Sequence, residues 1–231
     1  MRVAALIPAY NEAESILQTL AAAAELPVDE IVVIDDGSTD ETFALVSTCG
    51  LSKVTALRLQ SNRGKGGALN YGRQQVKADI YLLLDADLGS TAGLAQKLLE
   101  PVLLQEAHMT IARFGHEQSL TGAKMGFGLV RRTASLGVRL LTGHKILAPL
   151  SGQRAVSVRV LEAVGDFSPG FGVEAALTVG ALHHGFSVLE VPLEMKHRAL
   201  GRGLKGMRHR GSQFLSVLRA LWHCWKKGWH R

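Results

Sequence analysis

Four short polar clusters, each following an apolar run, hold most of the side chains in this 231-residue sequence that could do chemistry. They are Pro8-Ala9-Tyr10-Asn11-Glu12, Asp35-Asp36-Gly37-Ser38-Thr39-Asp40, Asn62-Arg63-Gly64-Lys65-Gly66-Gly67 and Asp85-Ala86-Asp87. Asp85 and Asp87 stand at alternate positions, so an extended backbone turns both carboxylates to one side. Two carboxylates held close repel unless a cation or a proton intervenes. Hard oxygen ligands suit Mg²⁺ or Mn²⁺, which also bind phosphate oxygens. A metal ion shared between protein and diphosphate would offset charge on a departing nucleotide. Helix capping by Asp87 is the plain alternative. Asp35 or Asp36 can accept hydrogen bonds from ribose hydroxyls or a base N–H, or close an Asx-turn with Gly37. The glycine-rich third cluster lets backbone approach a ligand and adds two cations, Arg63 and Lys65. It lacks the Walker spacing, so it is not a P-loop; alone it also reads as a basic surface turn.

These clusters need elements that bring them to one edge. Val3–Ile7 is a short apolar run ending at Pro8, and Asn11 can cap a helix through Glu25 with Ile16, Leu17 and Leu20 buried. Ile31–Ile34, Val54–Leu59 and Ile80–Leu84 read as further strands, and the β-branched Ile31–Ile34 run suits a strand covered on both faces. Ser38 or Thr39 can cap a helix after the second strand, and Gly64–Val76 reads as a helix after the third. This alternation predicts an α/β fold, a mostly parallel sheet with helices on both faces. In such sheets ligands bind beyond the carboxyl ends of the strands, where all four clusters fall. Later in the chain, Lys124–Thr142, Val158–Val164, Val173–His184 and Gln213–Lys227 read as helices and Ser187–Val191 as a strand ending at Pro192. His197–Arg210, rich in Gly, Arg and Lys, reads as a mobile loop.

Hydrophobic residues make up 47% of the chain, enough for a substantial core, and the net charge is +6. The basic balance favours anionic partners: phosphorylated ligands, acidic lipid or nucleic acid. Nucleic acid is set aside because the basic residues carry no aromatic platform or recognition motif. Cys49 and Cys224 show no metal-ligand spacing and read as reduced thiols of a cytoplasmic protein. The N-terminal apolar run is too short for a signal peptide, and no run is long enough to span a bilayer. The protein is thus expected to be cytoplasmic, soluble or peripheral on the inner face of the membrane. Phe214, Leu218, Leu221, Trp222, Trp225 and Trp229 recur at helical spacing among Arg219, His223, Lys226 and Lys227. Such a stripe packs on the rest of the chain or on a homodimer partner, or lies in a membrane interface.

The ordered set Pro8–Glu12, Asp35–Asp40 and Asp85–Asp87 resembles the family 2 glycosyltransferases of GT-A fold. Pro149-Leu150-Ser151-Gly152-Gln153-Arg154, Gly170-Phe171-Gly172-Val173-Glu174 and His197-Arg198 resemble glucosyl-3-phosphoglycerate synthases and their mannosyl relatives. A weaker likeness links them to polyprenyl-phosphate sugar synthases. The resemblance implies one GT-A domain over 1–231, with a nucleotide-sugar half (1–112) and an acceptor half (113–231). It implies that Pro8, Ala9, Tyr10, Glu12, Asp36, Ser38, Lys65, Asp85 and Ala86 bind the nucleotide-sugar donor. Asp87, with Asp85 beside it and His197 arriving from the loop, would hold Mg²⁺ or Mn²⁺. Gly152, Gln153 and Arg154 would line the acceptor site, with Arg198 and Arg202 clamping an anionic group. Glu174 would act at the sugar with Asp87 as the other catalytic residue; a first-turn glutamate that complements a helix dipole is its plain reading. The implied reaction moves a hexose from UDP-glucose first, or GDP-mannose second, to a small phosphorylated acceptor such as 3-phosphoglycerate. A polyprenyl phosphate at the membrane surface is the alternative acceptor. From other classes, a nucleotidyltransferase or a non-catalytic nucleotide-sugar-binding protein would use a similar sheet. Nucleotidyltransferases, however, usually place a glycine-rich signature where this chain has Pro-Ala-Tyr-Asn-Glu.

Overall fold

The computed structural model describes residues 1–114, 124–168, 172–195 and 204–230. The strands are β1 (Val3–Ala9), β2 (Glu30–Asp35), β3 (Val54–Arg58), β4 (Ile80–Leu83), β5 (Met109–Phe114), β6 (Arg154–Ser157) and β7 (Val188–Leu193). The helices are α1 (Ile16–Ala24), α2 (Thr42–Ser47), α3 (Gly64–Gln75), α4 (Gln96–Leu103), α5 (Lys124–Thr142), α6 (Val158–Val164), α7 (Val173–His183) and α8 (Leu204–Lys226). One sheet runs β3-β2-β1-β4-β6-β5-β7. Parallel pairing joins β3 to β2, β2 to β1, β1 to β4 and β5 to β7. Among the described residues only β6 runs antiparallel, between β4 and β5. The expected mostly parallel α/β sheet is therefore present.

The pleat divides the core in two. In β1, Ala4 and Leu6 join Val32, Ile34, Leu69, Val160 and Val217 on one face. Val3, Ala5 and Ile7 join Ile16, Leu20, Ile31, Val33 and Leu98 on the other. Alternate side chains of a strand point to opposite faces, so a strand apolar at every position must be covered on both. Each fully buried Leu or Ile contributes about 1.5–3 kcal/mol through removal from water. β1 lies between β2 and β4, so the strand order reverses there and the connections leave on opposite faces. That reversal opens a crevice at the carboxyl ends of β1 and β4.

Several local expectations are corrected. Asn11 does not cap α1: it has φ 56° and its side-chain oxygen accepts from Thr39 instead. The helix starts at Ile16, and Leu17 lies on its exposed side. Neither Ser38 nor Thr39 caps α2; Asp40 accepts from the Thr42 backbone N–H at 3.0 Å. The strands β5 and β6 and helix α4 were not legible in the pattern. β6 has only four residues and begins with a fully buried arginine. Pro192 sits inside β7 rather than ending it, as an edge strand tolerates a missing N–H. Residues 204–210, expected in a loop, form the start of α8. The rest of that segment, 197–203, lies outside the described residues. Among the described residues no helix is long and apolar enough to cross a membrane.

α3 enters the sheet edge through close backbone contact. A Cβ on Gly66 would collide with the backbone carbonyl of Ser168. Gly66→Ala is expected to cost about 1–3 kcal/mol, as overpacking does. Urea unfolding would measure it, and an unchanged midpoint would show that the 165–168 loop yields freely.

Candidate active site

The loops after β1 and β2 are sewn together by their own polar side chains. Asn11 N–H donates to Ser38 Oγ at 2.9 Å, and Thr39 N–H donates to Asn11 Oδ1 at 2.8 Å. Glu12 N–H donates to Thr42 Oγ1 at 2.8 Å. Asp36 is buried, and its Oδ1 accepts from Arg63 N–H at 2.7 Å, which ties in the third loop. Burial raises the Asp36 pKa, opposed by backbone N–H donation from Arg63 and Gly64. Gly37, at φ +75°, brings its backbone against Ser61, leaving 3.0 Å for a Cβ. Beside it an open cavity of about 490 Å³ is lined by Gly37, Ser38, Arg58, Leu59 and Gln60. Arg58 Nε lies 3.2 Å from buried Asp35.

The fourth loop meets the third through one cation. Lys65 Nζ lies 2.6 Å from Asp85 Oδ1 and 2.8 Å from Glu174 Oε1. Its side chain is 27% exposed. Burial on its own would lower the lysine pKa, but the Asp85 and Glu174 charges outweigh it and raise the pKa. Glu174 sits in the first turn of α7, which fixes its reach toward Lys65. Gln153 is fully buried and its Nε2 donates to Asp85 Oδ2 at 2.6 Å. A Cβ on Gly152 would strike both Lys65 and Asp85, so glycine there lets the pair lie against the backbone. Asp87 follows two residues later, half-buried, just past β4.

The structure thus brings Lys65, Asp85, Gly152, Gln153 and Glu174 into one connected set, and Asp36 anchors the start of the Lys65 segment through the Arg63 N–H. Pro8 and Ala9 end β1, and Tyr10, Glu12 and Ser38 lie on the adjoining loops, with Tyr10 exposed and Ser38 buried. The Ala86 carbonyl is engaged by the Thr19 hydroxyl, at 2.8 Å. Arg154 departs most from expectation. Fully buried, it donates to Ser151 O, Pro149 O and Thr178 Oγ1 at 2.8–2.9 Å. Burial lowers its pKa to about 10, with Glu174 and Glu190 opposing. It therefore braces the 149–153 loop against α7. His197, Arg198 and Arg202 lie outside the described residues. Sequence reasoning missed Arg58 and Gln60, whose only signal is position at a strand end, and Thr42, which opens α2.

The donor set fits Mg²⁺ or Mn²⁺ in one respect. Among the described residues no three or more His, Cys, Asp or Glu side chains converge as a ready-made cage. Mg²⁺ is ordinarily held by one or two carboxylates together with substrate phosphates. Asp85 and Asp87 supply that kind of pair.

Comparison with known proteins places these residues in context. The model of glycosyl transferase family 2 matches residues 4–161. Glucosyl-3-phosphoglycerate synthase of Mycolicibacterium smegmatis is 31% identical over 191 residues, 77% of this chain and 63% of that protein. Undecaprenyl-phosphate mannosyltransferase of Micrococcus luteus is 28% identical over 216 residues, 87% of this chain and 86% of that protein. The crystal structure of glucosyl-3-phosphoglycerate synthase from Mycobacterium tuberculosis with Mn²⁺, uridine diphosphate and phosphoglyceric acid superposes with a TM-score of 0.77. It is 25% identical, and the match covers 95% of this chain and 77% of that one.

Arg154→Met leaves two buried carbonyls and a hydroxyl without their donor, so a loss of about 3 kcal/mol or more is expected. Urea unfolding reads it. A variant of full stability that only binds acceptor poorly would return Arg154 to the acceptor site.

Proposed function

The chain belongs to glycosyl transferase family 2, and on that premise we propose that it moves a hexose from a nucleotide-sugar to a small phosphorylated acceptor. UDP-glucose is the first donor and GDP-mannose the second; a 3-phosphoglycerate-like molecule is the acceptor. The observation that carries this reading is the Lys65 ammonium held between Asp85 and Glu174 at the crevice where the strand order reverses. Support comes from the relative and the solved structure named for 3-phosphoglycerate chemistry, the latter holding Mn²⁺ and uridine diphosphate.

In this mechanism the first half of the chain, 1–112, receives the donor. Pro8, Ala9, Tyr10, Glu12, Asp36 and Ser38 border the nucleotide, which enters beside the cavity lined by Ser38 and Arg58. Lys65 presents its ammonium to the diphosphate, Asp85 and Glu174 hold that ammonium in place, and Gln153 steadies Asp85. Asp87, with Asp85 and His197, would hold Mg²⁺ or Mn²⁺, which when bound supplies charge compensation for the departing diphosphate. The second half, 113–231, receives the acceptor. Gly152 and Gln153 form its floor, Arg154 acts only by bracing that floor, and Arg198 and Arg202 attract the acceptor's anionic group. Glu174 faces the sugar and accepts a hydrogen bond or proton there.

A second acceptor, a polyprenyl phosphate, is favoured by the exposed Trp222 and Trp225 and by the likeness to undecaprenyl-phosphate mannosyltransferase. The two acceptors leave the donor side of the mechanism unchanged.

A panel of nucleotide-sugars with Mn²⁺, read by thermal shift, is expected to single out UDP-glucose. Transfer should then release UDP; release of pyrophosphate from a nucleoside triphosphate would mark a nucleotidyltransferase instead. Asp87→Ala at saturating Mn²⁺ is expected to lower turnover roughly 10²–10³-fold, the scale of losing one electrostatic element of a catalytic site. Near-wild-type turnover would refute the metal role.

A further inference from the structure

No Asp or Glu occurs between residues 118 and 161 or between 195 and 231. Helices α5 and α8 both fall in these stretches, so each carries basic, apolar and neutral side chains only. The two pack together: a Cβ on Gly137 of α5 would run into Leu221 of α8. α5 buries Val130, Ala134 and Val138, and α8 buries Val217, Ala220, Leu221 and Cys224. Each also leaves large apolar side chains outside. α5 exposes Leu129 (61%), Leu136 (56%) and Leu140 (72%), and α8 exposes Leu215 (53%), Leu218 (39%), Trp222 (55%) and Trp225 (56%).

Helical geometry shows where these side chains gather. At about 100° per residue, Leu129, Leu136 and Leu140 fall in a sector about 40° wide on α5. That sector lies beyond Gly137 in the direction that leads from the core toward α8. On α8 the Leu215, Leu218, Trp222 and Trp225 sector lies beyond Leu221, in the direction that leads from the core toward α5. The two apolar stripes therefore border one outer groove from either bank. Beyond them stand exposed Arg132 and Arg139 on α5 and Arg219 and Lys226 on α8. Lys226 Nζ rests 3.9 Å from the centroid of the Trp222 ring.

We propose that the α5–α8 groove is a docking surface for a lipid bilayer bearing anionic headgroups. Exposed leucines and tryptophans rimmed by arginine and lysine, with no acid among them, match the apolar and charged layers of such an interface. A contiguous exposed apolar patch of this kind is unusual for a surface facing only water. The surface backs directly onto the candidate site, since a Cβ on Gly172, next to Glu174, would collide with Ala220 of α8. Docking would hold the site close to the headgroups, and it stands whichever acceptor is used.

The test is flotation of the full chain with vesicles of phosphatidylcholine alone or with about a third phosphatidylglycerol. At least about tenfold more protein is expected on the anionic vesicles, falling steeply as salt is raised. A blue shift of tryptophan fluorescence should accompany it. The paired substitutions Trp222→Ser/Trp225→Ser and Leu136→Ser/Leu140→Ser should each abolish most of the enrichment. Both pairs change exposed residues, so thermal midpoint and nucleotide-sugar binding should hold. Equal recovery on both vesicle types, or none on either, would overturn the proposal. So would a dimer in sedimentation velocity that the same variants split while vesicle recovery stays unchanged, because the groove would then belong to a second copy.

Discussion

An ammonium group shared by two carboxylates organises the candidate site. Lys65 touches Asp85 and Glu174, and these three residues come from α3, from the loop after β4 and from α7. Without the lysine, two carboxylates would face one another in a partly desolvated crevice, and their repulsion would push the elements apart or force protonation. With it, the opposite charges outweigh the burial that would otherwise discharge the amine. The arrangement also explains the glycine at 152, since any side chain there would occupy the space the pair needs.

A second cation, Arg154, supports the first from behind. It is wholly buried, and its three donor groups are spent on two carbonyls and a hydroxyl. Thr178 passes the connection on, because its hydroxyl donates to the Glu174 carbonyl at 2.8 Å. Ser151 passes it the other way, its hydroxyl donating to Gln153 Oε1, while Gln153 holds Asp85. One buried guanidinium thus sets the spacing between the two carboxylates that Lys65 bridges. Buried polar groups are costly unless satisfied, so the network holds its geometry by leaving few alternatives.

Charge is segregated along the chain as well as within the site. Every aspartate and glutamate of the four strand-end clusters lies in the first 87 residues, whereas α5 and α8 contain none. The acidic edge of the sheet suits a metal-bridged diphosphate, and the acid-free helices suit an anionic surface. Both helices meet α7, whose first turn carries Glu174, so the two charge environments are only one helix apart.

The sequence by itself determined the α/β class, the four strand-end clusters and the family. Each rests on contiguous residues: unbroken apolar runs, and polar clusters whose order along the chain is itself the signal. It also placed Asp36, Lys65, Asp85 and Glu174 among the candidates by type and position. Only the tertiary structure decided how they meet. Nothing in the sequence reveals that Lys65 reaches a glutamate 109 positions away, or that Gln153 serves Asp85 across a |i−j| of 68. Nor does the pattern distinguish an arginine that faces a ligand from one buried as a brace, because burial depends on what the fold lays over it. The same holds for β5 and β6, whose pairing is non-local, and for Asn11, which a neighbouring loop drew away from its own helix. Contacts of long sequence separation leave no local periodicity, so they become visible only when the chain closes on itself.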